Sequence, residues 1–405
     1  MKQYGLENIR NIVLLSHSGA GKTSLSEAIL FNSGAISRLG KVDDGTTASD
    51  YDPDEVKRKI SINLTLLPCE WKGAKINLID TPGYSDFVGE VKAAIRVGEG
   101  VIIVVCAASG VEVGTEQVWG YCDEANLTRL IFINKMDRDN ADFYRTVEQL
   151  QSRFGSKCLP VQLPVGAQDD FQGIVDLLTM KGYIGNPAKE AEIPSSLQAQ
   201  AQSFHDKLVE AVAEIDDTLI EKYLGGEELS VEELINGLRQ AIVGGRIVPI
   251  LVGSALQNIG IASLLDSVNG YLPSPNERKV ITEAGEEIEP SQDAPLAALV
   301  FKTSADPYVG KLTYLRVYMG TIDSNSQVWN VSRKGMERIG QLSIMRGKTQ
   351  EPVSQLRAGD IGVIAKLGLT NTGDTLGNRD KPVLIVPGLF PQPGKATSSR
   401  FAFPQ

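Results

Sequence analysis

The sequence predicts an α/β fold in two parts: a parallel β-sheet covered by helices and carrying a helical insert, followed by a small antiparallel β-barrel. The first half alternates short, nearly continuous apolar runs with amphipathic stretches, which is typical of parallel strands buried on both faces. From residue 294 to about 377, apolar and polar residues alternate between turn sequences, which favours an antiparallel barrel. The chain has 405 residues, enough for two or three domains.

Apolar runs give the strands of the first sheet. The predicted strands are residues 11–15, 76–79, 101–107, 130–133 and 247–252. Residues 60–66 differ, because apolar and polar side chains alternate there and Trp71-Lys72-Gly73 can turn the chain back into the strand at 76–79. We therefore expect an antiparallel hairpin at one edge of the sheet.

Composition sets the expected domain boundaries. Residues 195–243 are rich in helix-forming side chains at helical spacing, and residues 272–293 combine prolines with an acidic polar run. The tail beyond Lys381 contains prolines and no periodic face. The predicted boundaries are 1–275 for the first domain, about 160–246 for its helical insert, 276–293 for a linker, 294–380 for the barrel and 381–405 for an irregular tail.

Charge and composition exclude several classes of protein. The net charge is −10, from 50 acidic and 40 basic residues, which is the wrong sign for a protein that neutralises nucleic acid phosphates over its whole surface. The longest apolar run, at 101–108, is far shorter than the roughly 18 residues of a membrane-spanning helix. The four cysteines lack CxxC spacing and predict reduced thiols. We expect a cytoplasmic monomer with neither a membrane nor a DNA partner.

A glycine-rich loop follows the first strand and precedes a predicted helix at 24–33. Backbone N–H groups of such a loop can surround phosphate oxygens, Lys22 can reach the β- and γ-phosphates, and the Thr23 hydroxyl can ligate magnesium. Ser16 replaces the first glycine of the GxxxxGKT pattern, but Gly21, Lys22 and Thr23 are kept. The predicted nucleotide-binding residues here are His17, Ser18, Gly19, Ala20, Gly21, Lys22, Thr23 and Ser24.

The next strand ends in Asp80-Thr81-Pro82-Gly83. A carboxylate at the carboxyl end of a strand beside the phosphate loop is well placed to hold magnesium, and the Gly83 N–H can approach a γ-phosphate. Alone, this tetrapeptide is equally consistent with an ordinary turn. Its place in the order of motifs favours the metal site.

Two further strand ends carry the predicted base-recognition residues, Asn134-Lys135-Met136-Asp137 and Gly253-Ser254-Ala255. The Asp137 carboxylate can accept from the N1–H and amino group of guanine, whereas adenine presents an acceptor at N1 and lacks that amino group. Asn134 can contact the ring edge, the Lys135 stem can cover its face, and Gly253, Ser254 and Ala255 suit guanine O6. Four motifs in this order predict guanine nucleotide binding.

With these motifs in place, residues 9–377 resemble the first two domains of translational GTPases of the elongation factor G type. The resemblance implies a P-loop GTPase domain with a helical insert and a translation-factor barrel. It also implies GTP or GDP and Mg²⁺ as cofactors and the ribosome, its RNA and its proteins, as partner. In the family, the inserted domain is associated with nucleotide handling without a separate exchange factor.

Some positions depart from the family pattern. The resemblance assigns Ser61 to the metal site with Thr23 and Asp80, where most relatives have threonine. Gly19 stands where many relatives have an aspartate associated with a monovalent cation. Tyr84 replaces the histidine that positions the attacking water, so Tyr84, Lys22 and Gly83 are the candidate catalytic residues, with a rate loss of roughly 10²–10⁴. This combination resembles the elongation factor G-like paralogues.

Alternatives to a ribosomal GTPase stay open at this point. The protein could be a GTP/GDP switch that hydrolyses little or nothing, or an ATP-using P-loop enzyme with comparable affinity for both nucleotides. Family members continue through three more domains, so we expect a fragment or truncated form. A cluster of basic residues in the second domain is either a solvated face or an RNA contact; its members are Arg333, Lys334, Arg338, Arg346 and Lys348.

Overall fold

The structure, a computed structural model, describes residues 2–306 and 309–386. Most of the predicted irregular tail, residues 387–405, lies outside the described residues. Within the described ranges, no helix is both long enough and apolar enough to cross a membrane.

The first domain begins with alternating strands and helices. The strands are β1 (Ile9–Ser16), β2 (Thr65–Trp71), β3 (Ala74–Asp80), β4 (Gly100–Cys106), β5 (Thr128–Asn134) and β6 (Cys158–Pro160). The helices are α1 (Lys22–Asn32), α2 (Pro53–Arg58), α3 (Val88–Val97), α4 (Val113–Glu124) and α5 (Phe143–Phe154).

An insert follows, and then the domain is completed. The insert contains strands β7 (Gln162–Val165), β8 (Gly173–Asp176), β9 (Lys181–Ile184) and β10 (Lys189–Ala191), and helices α6 (Ser195–Ala213), α7 (Asp217–Leu224) and α8 (Val231–Val243). The domain ends with β11 (Val248–Val252) and α9 (Ile261–Tyr271).

The central sheet has seven strands in the order β2-β3-β1-β4-β5-β11-β6. The pairs from β3 to β6 are parallel, and β2 runs antiparallel to β3 at the edge. Every residue of β1 and β4 is buried, which explains the uninterrupted apolar runs at 12–15 and 101–106. The predicted parallel α/β sheet is confirmed.

The edge hairpin exists, but its first strand lies at Thr65–Trp71 rather than at 60–66. The buried Glu55 carboxylate accepts from the N–H groups of Ile62 and Asn63, both at 2.9 Å, so these groups do not enter a strand ladder. Lys72 and Gly73 form the turn with φ of 42° and 85°, as a two-residue hairpin turn requires.

We predicted a helical insert, but the insert also contains a β-sheet. Strands β7 to β10 form a four-stranded sheet whose neighbours are antiparallel, and helices α6 to α8 follow it. These strands have only three or four residues each, too few to produce a recognisable alternation of apolar and polar side chains.

The second part of the chain is antiparallel, as predicted. A short hairpin comes first, with strands β12 (Val280–Ile281) and β13 (Glu287–Ile288). The remaining strands are β14 (Ala297–Asp306), β15 (Gly310–Met319), β16 (Thr321–Asp323), β17 (Gln327–Asn330), β18 (Gly335–Arg338), β19 (Leu342–Arg346), β20 (Thr349–Val353), β21 (Gln355–Arg357), β22 (Ile361–Ala365) and β23 (Thr375–Gly377). Eight of them form one sheet in the order β18-β17-β23-β14-β15-β22-β19-β20, around an apolar core.

The predicted linker and the start of the predicted tail are more ordered than their composition indicated. The linker contains the β12–β13 hairpin, and Ile385 forms an isolated bridge to Thr282. Ile385 is fully buried and packs with Val280 and Tyr318. The apolar residues at 383–386 therefore hold this part of the tail against the second domain.

Polar side chains fix the second domain against the first. Lys75 is 1% exposed, and its Nζ donates to both carboxylate oxygens of Asp360, at 2.7 and 2.8 Å. Arg346 of the basic cluster donates from Nε to the Pro68 carbonyl at 3.0 Å. Arg346 is therefore an interdomain contact, which neither of our two expectations for that cluster included.

Candidate functional site

The four predicted motifs meet at one edge of the central sheet. β1, β3, β5 and β11 end there, and because these strands are parallel their carboxyl ends share that edge. A cavity of about 310 Å³ opens between the loops. Its lining residues are Ser18, Gly19, Gly21, Lys22, Thr23, Ser24, Val42, Asp43, Asp50, Lys59, Ile60, Ser61, Gly83, Tyr84 and Lys135.

The glycine-rich loop has the backbone shape of a phosphate site. Gly19 and Gly21 have φ of 78° and 97°, in the left-handed region that favours glycine. A Cβ at Gly21 would lie 2.5 Å from Asn134 Nδ2, so a side chain would also clash with the loop predicted to recognise the base. Helix α1 starts directly after Gly21, which places its positive N-terminal end at the cavity.

Lys22 is a buried cation at the cavity wall. Its side chain is 6% exposed, and Nζ donates to Ser16 Oγ at 2.7 Å. Burial lowers the pKa of Lys22 to about 8, although the carboxylates of Asp80 and Asp50 oppose this shift. A phosphate group would supply negative charge beside this ammonium. Ser16, where the pattern expects glycine, thus serves to hold the lysine.

Oxygen donors suited to magnesium gather beside the loop. Thr23 Oγ1 and Ser61 Oγ are 3.1 Å apart. Asp80 Oδ2 accepts from Ser49 Oγ at 2.7 Å, whereas its Oδ1 is buried without a hydrogen-bond partner. Burial raises the pKa of Asp80. An orphaned carboxylate oxygen beside two hydroxyl groups fits a small divalent cation that prefers oxygen ligands.

Asp50 belongs to this group of donors, and our sequence analysis missed it. The side chain is 5% exposed and its Oδ1 has no hydrogen-bond partner. Burial and the neighbouring Asp80 charge raise the pKa of Asp50 to about 7, while the hydroxyls of Ser61 and Thr23 oppose this. Asp50 lies on a loop between α1 and α2, so no strand end marked it in the sequence.

Asn134 joins three of the loops. Its Nδ2 donates to the Ala20 carbonyl at 3.0 Å, and its Oδ1 accepts from the Ala255 N–H at 3.0 Å. We expected residues 253–255 to offer a free N–H to guanine O6, but the Ala255 N–H already has a partner, which O6 would have to share. Ser254 is fully buried, and its N–H donates to the Ile259 carbonyl. A Cβ at Gly253 would lie 2.4 Å from that carbonyl oxygen.

Asp137 presents an unsatisfied acceptor. Its Oδ1 is buried without a hydrogen-bond partner, so it can accept from a donor group of a ligand. Lys135 has φ of 64°, and its Nζ donates to the Gly19 carbonyl at 2.7 Å. The Lys135 stem thus extends from the loop after β5 to the glycine-rich loop after β1. Among the described residues, three of the eight buried side-chain atoms without a partner are the oxygens of Asp50, Asp80 and Asp137.

The candidate catalytic loop contacts the phosphate loop. A Cβ at Gly83 would lie 2.8 Å from both Lys22 Nζ and Ser18 Cα. Tyr84 lines the cavity and is 44% exposed. His17 points elsewhere: its Nδ1 accepts from the Gly114 N–H at 3.2 Å, so the ring packs at the start of α4. The His17 side chain therefore serves local packing, and only its backbone remains for phosphate.

A strand, glycine-rich loop and helix with a buried lysine define a P-loop nucleotide-binding protein. Comparison with known families gives the particular group. Residues 7–274 match the elongation factor Tu GTP binding domain, and residues 295–379 match elongation factor G domain 2. The chain belongs to the translational GTPases of the elongation factor G type and carries the first two domains of that type.

The chain is also similar in fold to a solved structure. A protein of known crystal structure from Thermus thermophilus is 33% identical to this chain and superposes with a TM-score of 0.83. The match covers 93% of this chain and 55% of the Thermus protein. The chain thus spans little more than half the length of that similar protein.

Proposed function

We propose that this protein binds GTP or GDP together with Mg²⁺ and hydrolyses GTP to GDP and phosphate. The observation that carries this proposal is the set of three buried carboxylate oxygens without partners: Asp50 lines the cavity, Asp80 ends β3, and Asp137 follows the end of β5. Buried polar atoms are rarely left unpaired, so their clustering at a phosphate loop supports a ligand with a cation at one end and donor groups at the other.

Different residues would bind the phosphates, the base and the metal ion. Phosphate-loop N–H groups and Lys22 hold the β- and γ-phosphates, and Asp137 accepts from the guanine N1–H and amino group. Thr23 and Ser61 offer hydroxyl ligands to Mg²⁺, with the carboxylates of Asp80 and Asp50 beside them. The metal would neutralise negative charge on the phosphate oxygens.

Hydrolysis requires a positioned water. The oxygen of that water bonds to the γ-phosphorus while the bond from γ-phosphorus to the bridging oxygen breaks. GDP leaves with the electron pair, and a proton of the water passes to the phosphate product or to solvent. The Tyr84 hydroxyl can orient the water, and the Gly83 N–H can donate to a γ-phosphate oxygen. Because tyrosine is not a cation at neutral pH, we expect slow intrinsic turnover.

Action with the ribosome is the remaining part of the proposal. Family membership supports it, and a cytoplasmic location and a monomeric state go with it. A switch that binds GTP and GDP without hydrolysis is the alternative, and the tyrosine at position 84 is the observation that favours it.

Equilibrium titration with GTP, GDP and ATP in the presence of Mg²⁺ tests nucleotide choice. Single-turnover phosphate release, with and without ribosomes, tests hydrolysis. We expect GTP and GDP to bind much more tightly than ATP and ribosomes to accelerate release. Comparable ATP affinity would reject the guanine assignment. Tight GTP binding without phosphate release in either condition would favour the switch.

A further inference from the structure

Lys59 occupies a backbone position that favours glycine. Its φ is 56°, in the left-handed region, where it ends helix α2 and donates its N–H to the Glu55 carbonyl. Glycine takes such a helix-ending position without steric cost, whereas a lysine is strained there. Strained residues of this kind concentrate at functional sites.

The Lys59 side chain lines the nucleotide cavity, two residues before Ser61. Its Nζ lies 3.3 Å from Asp43 Oδ1, and the two side chains are 54% and 87% exposed. A solvated ion pair of this kind is weak, so the ammonium group can exchange this partner for another anion at little cost.

The other lysines of the cavity wall are already engaged. Lys22 Nζ donates to Ser16 Oγ, and Lys135 Nζ donates to the Gly19 carbonyl, both at 2.7 Å. Of the three lysines that line the cavity, Lys59 is therefore the one paired with an exposed side chain, that of Asp43. A triphosphate brings more negative charge into the cavity than a diphosphate, and this additional charge is what a mobile ammonium would recognise.

We infer that Lys59 Nζ leaves Asp43 and binds the γ-phosphate of GTP. This inference rests on the proposed function and adds to it a sensor of the third phosphate. During hydrolysis, negative charge is spread over the γ-phosphate oxygens, and more develops on the bridging oxygen as its bond to the γ-phosphorus breaks. Lys59 neutralises that charge, a contribution that the uncharged Tyr84 cannot make.

The test uses variants of the whole chain. Lys59→Ala removes the charge, Lys59→Arg keeps it, and Lys57→Ala is the matched control because Lys57 is an exposed lysine of α2 outside the cavity lining. We expect Lys59→Ala to weaken binding of a slowly hydrolysed GTP analogue ~10-fold and single-turnover hydrolysis ~10²-fold, with GDP affinity unchanged. Lys59→Arg should retain most of both, and Lys57→Ala should match the wild type.

Two further readouts separate this role from a structural one. Methylammonium in the buffer should partly restore hydrolysis by Lys59→Ala, because it supplies the missing cation. Lys59→Gly should raise the melting temperature by about 2–4 °C while losing hydrolysis as Lys59→Ala does. If the wild-type protein binds GTP without hydrolysing it, binding alone tests the inference. Lys59→Ala should then lower the affinity for the GTP analogue relative to the affinity for GDP.

Equal losses for the GTP analogue and GDP in Lys59→Ala, or no loss for either, would overturn the inference while leaving the proposed function intact. Failure of the wild-type protein to bind GTP would instead overturn the proposed function.

Discussion

Replacing Asp50 by asparagine should stabilise the protein in the absence of nucleotide and Mg²⁺. Burial and the Asp80 charge raise the pKa of Asp50 from 3.8 to about 7. The folded state therefore binds this proton more tightly than the unfolded state does, so the free energy of unfolding falls as pH rises from about 4 through about 7. A pKa difference of about 3 corresponds to about 4 kcal/mol.

We expect Asp50→Asn to raise the free energy of unfolding at pH 8 by about 2–4 kcal/mol, because the amide avoids burying a charge. At pH 4 the two proteins should be nearly equal. Urea denaturation at both pH values, in EDTA and without nucleotide, measures the difference. Asp44→Asn, at an exposed carboxylate of the same segment, is the control and should change stability little at either pH.

The same substitution should weaken Mg²⁺-dependent GTP binding, because it removes one of the paired carboxylates. The reasoning would be refuted if the wild type and Asp50→Asn showed parallel changes of stability between pH 4 and pH 8. It would also be refuted if Asp44→Asn produced the same gain.

Three other predictions concern the nucleotide site. Because burial lowers the pKa of Lys22 to about 8, GDP affinity should be constant below pH 8 and fall above it by up to ~10-fold per pH unit. Titration with fluorescent GDP between pH 7 and 9 measures this, and an affinity that does not change with pH would contradict it. Asp137→Asn should weaken GTP binding and relatively favour xanthine nucleotides, since an amide can donate to the C2 carbonyl of xanthine. Competition binding measures the two affinities, and unchanged GTP affinity would disprove guanine recognition by Asp137. Asn134→Ala should lower the free energy of unfolding by ~2–3 kcal/mol, because it leaves the buried Ala20 carbonyl and Ala255 N–H without a partner. A change below ~0.5 kcal/mol in urea denaturation would contradict the role of Asn134 in joining these loops, its bracing role.

The sequence predicted the parts of the fold that depend on strong local patterns. Apolar runs such as 101–107 are long, uninterrupted and buried on both sides, so β4 could be found without a structure. The hairpin register could not, because the Glu55 carboxylate takes the N–H groups of Ile62 and Asn63 away from strand pairing. No local pattern reveals that a side chain seven or eight residues away will do so.

The candidate site divides in the same way. Gly21 and Lys22 come just after the short loop that follows β1, so their place at the sheet edge follows from parallel topology. Asp50 was missed because its position depends on how a long loop folds back to Thr23 and Ser61. The bracing role of Asn134 was also missed, since it depends on two loops more than a hundred residues away in sequence.

The central claim is that four separate loops enclose one guanine nucleotide and its magnesium ion. A crystal structure of the protein grown with Mg²⁺ and a slowly hydrolysed GTP analogue tests it most directly. We expect the guanine N1–H and amino group to lie about 2.7–3.2 Å from the Asp137 carboxylate, and the metal to lie beside Thr23 and Ser61. A saturating analogue bound elsewhere on the chain, or no bound analogue at all, would contradict the account.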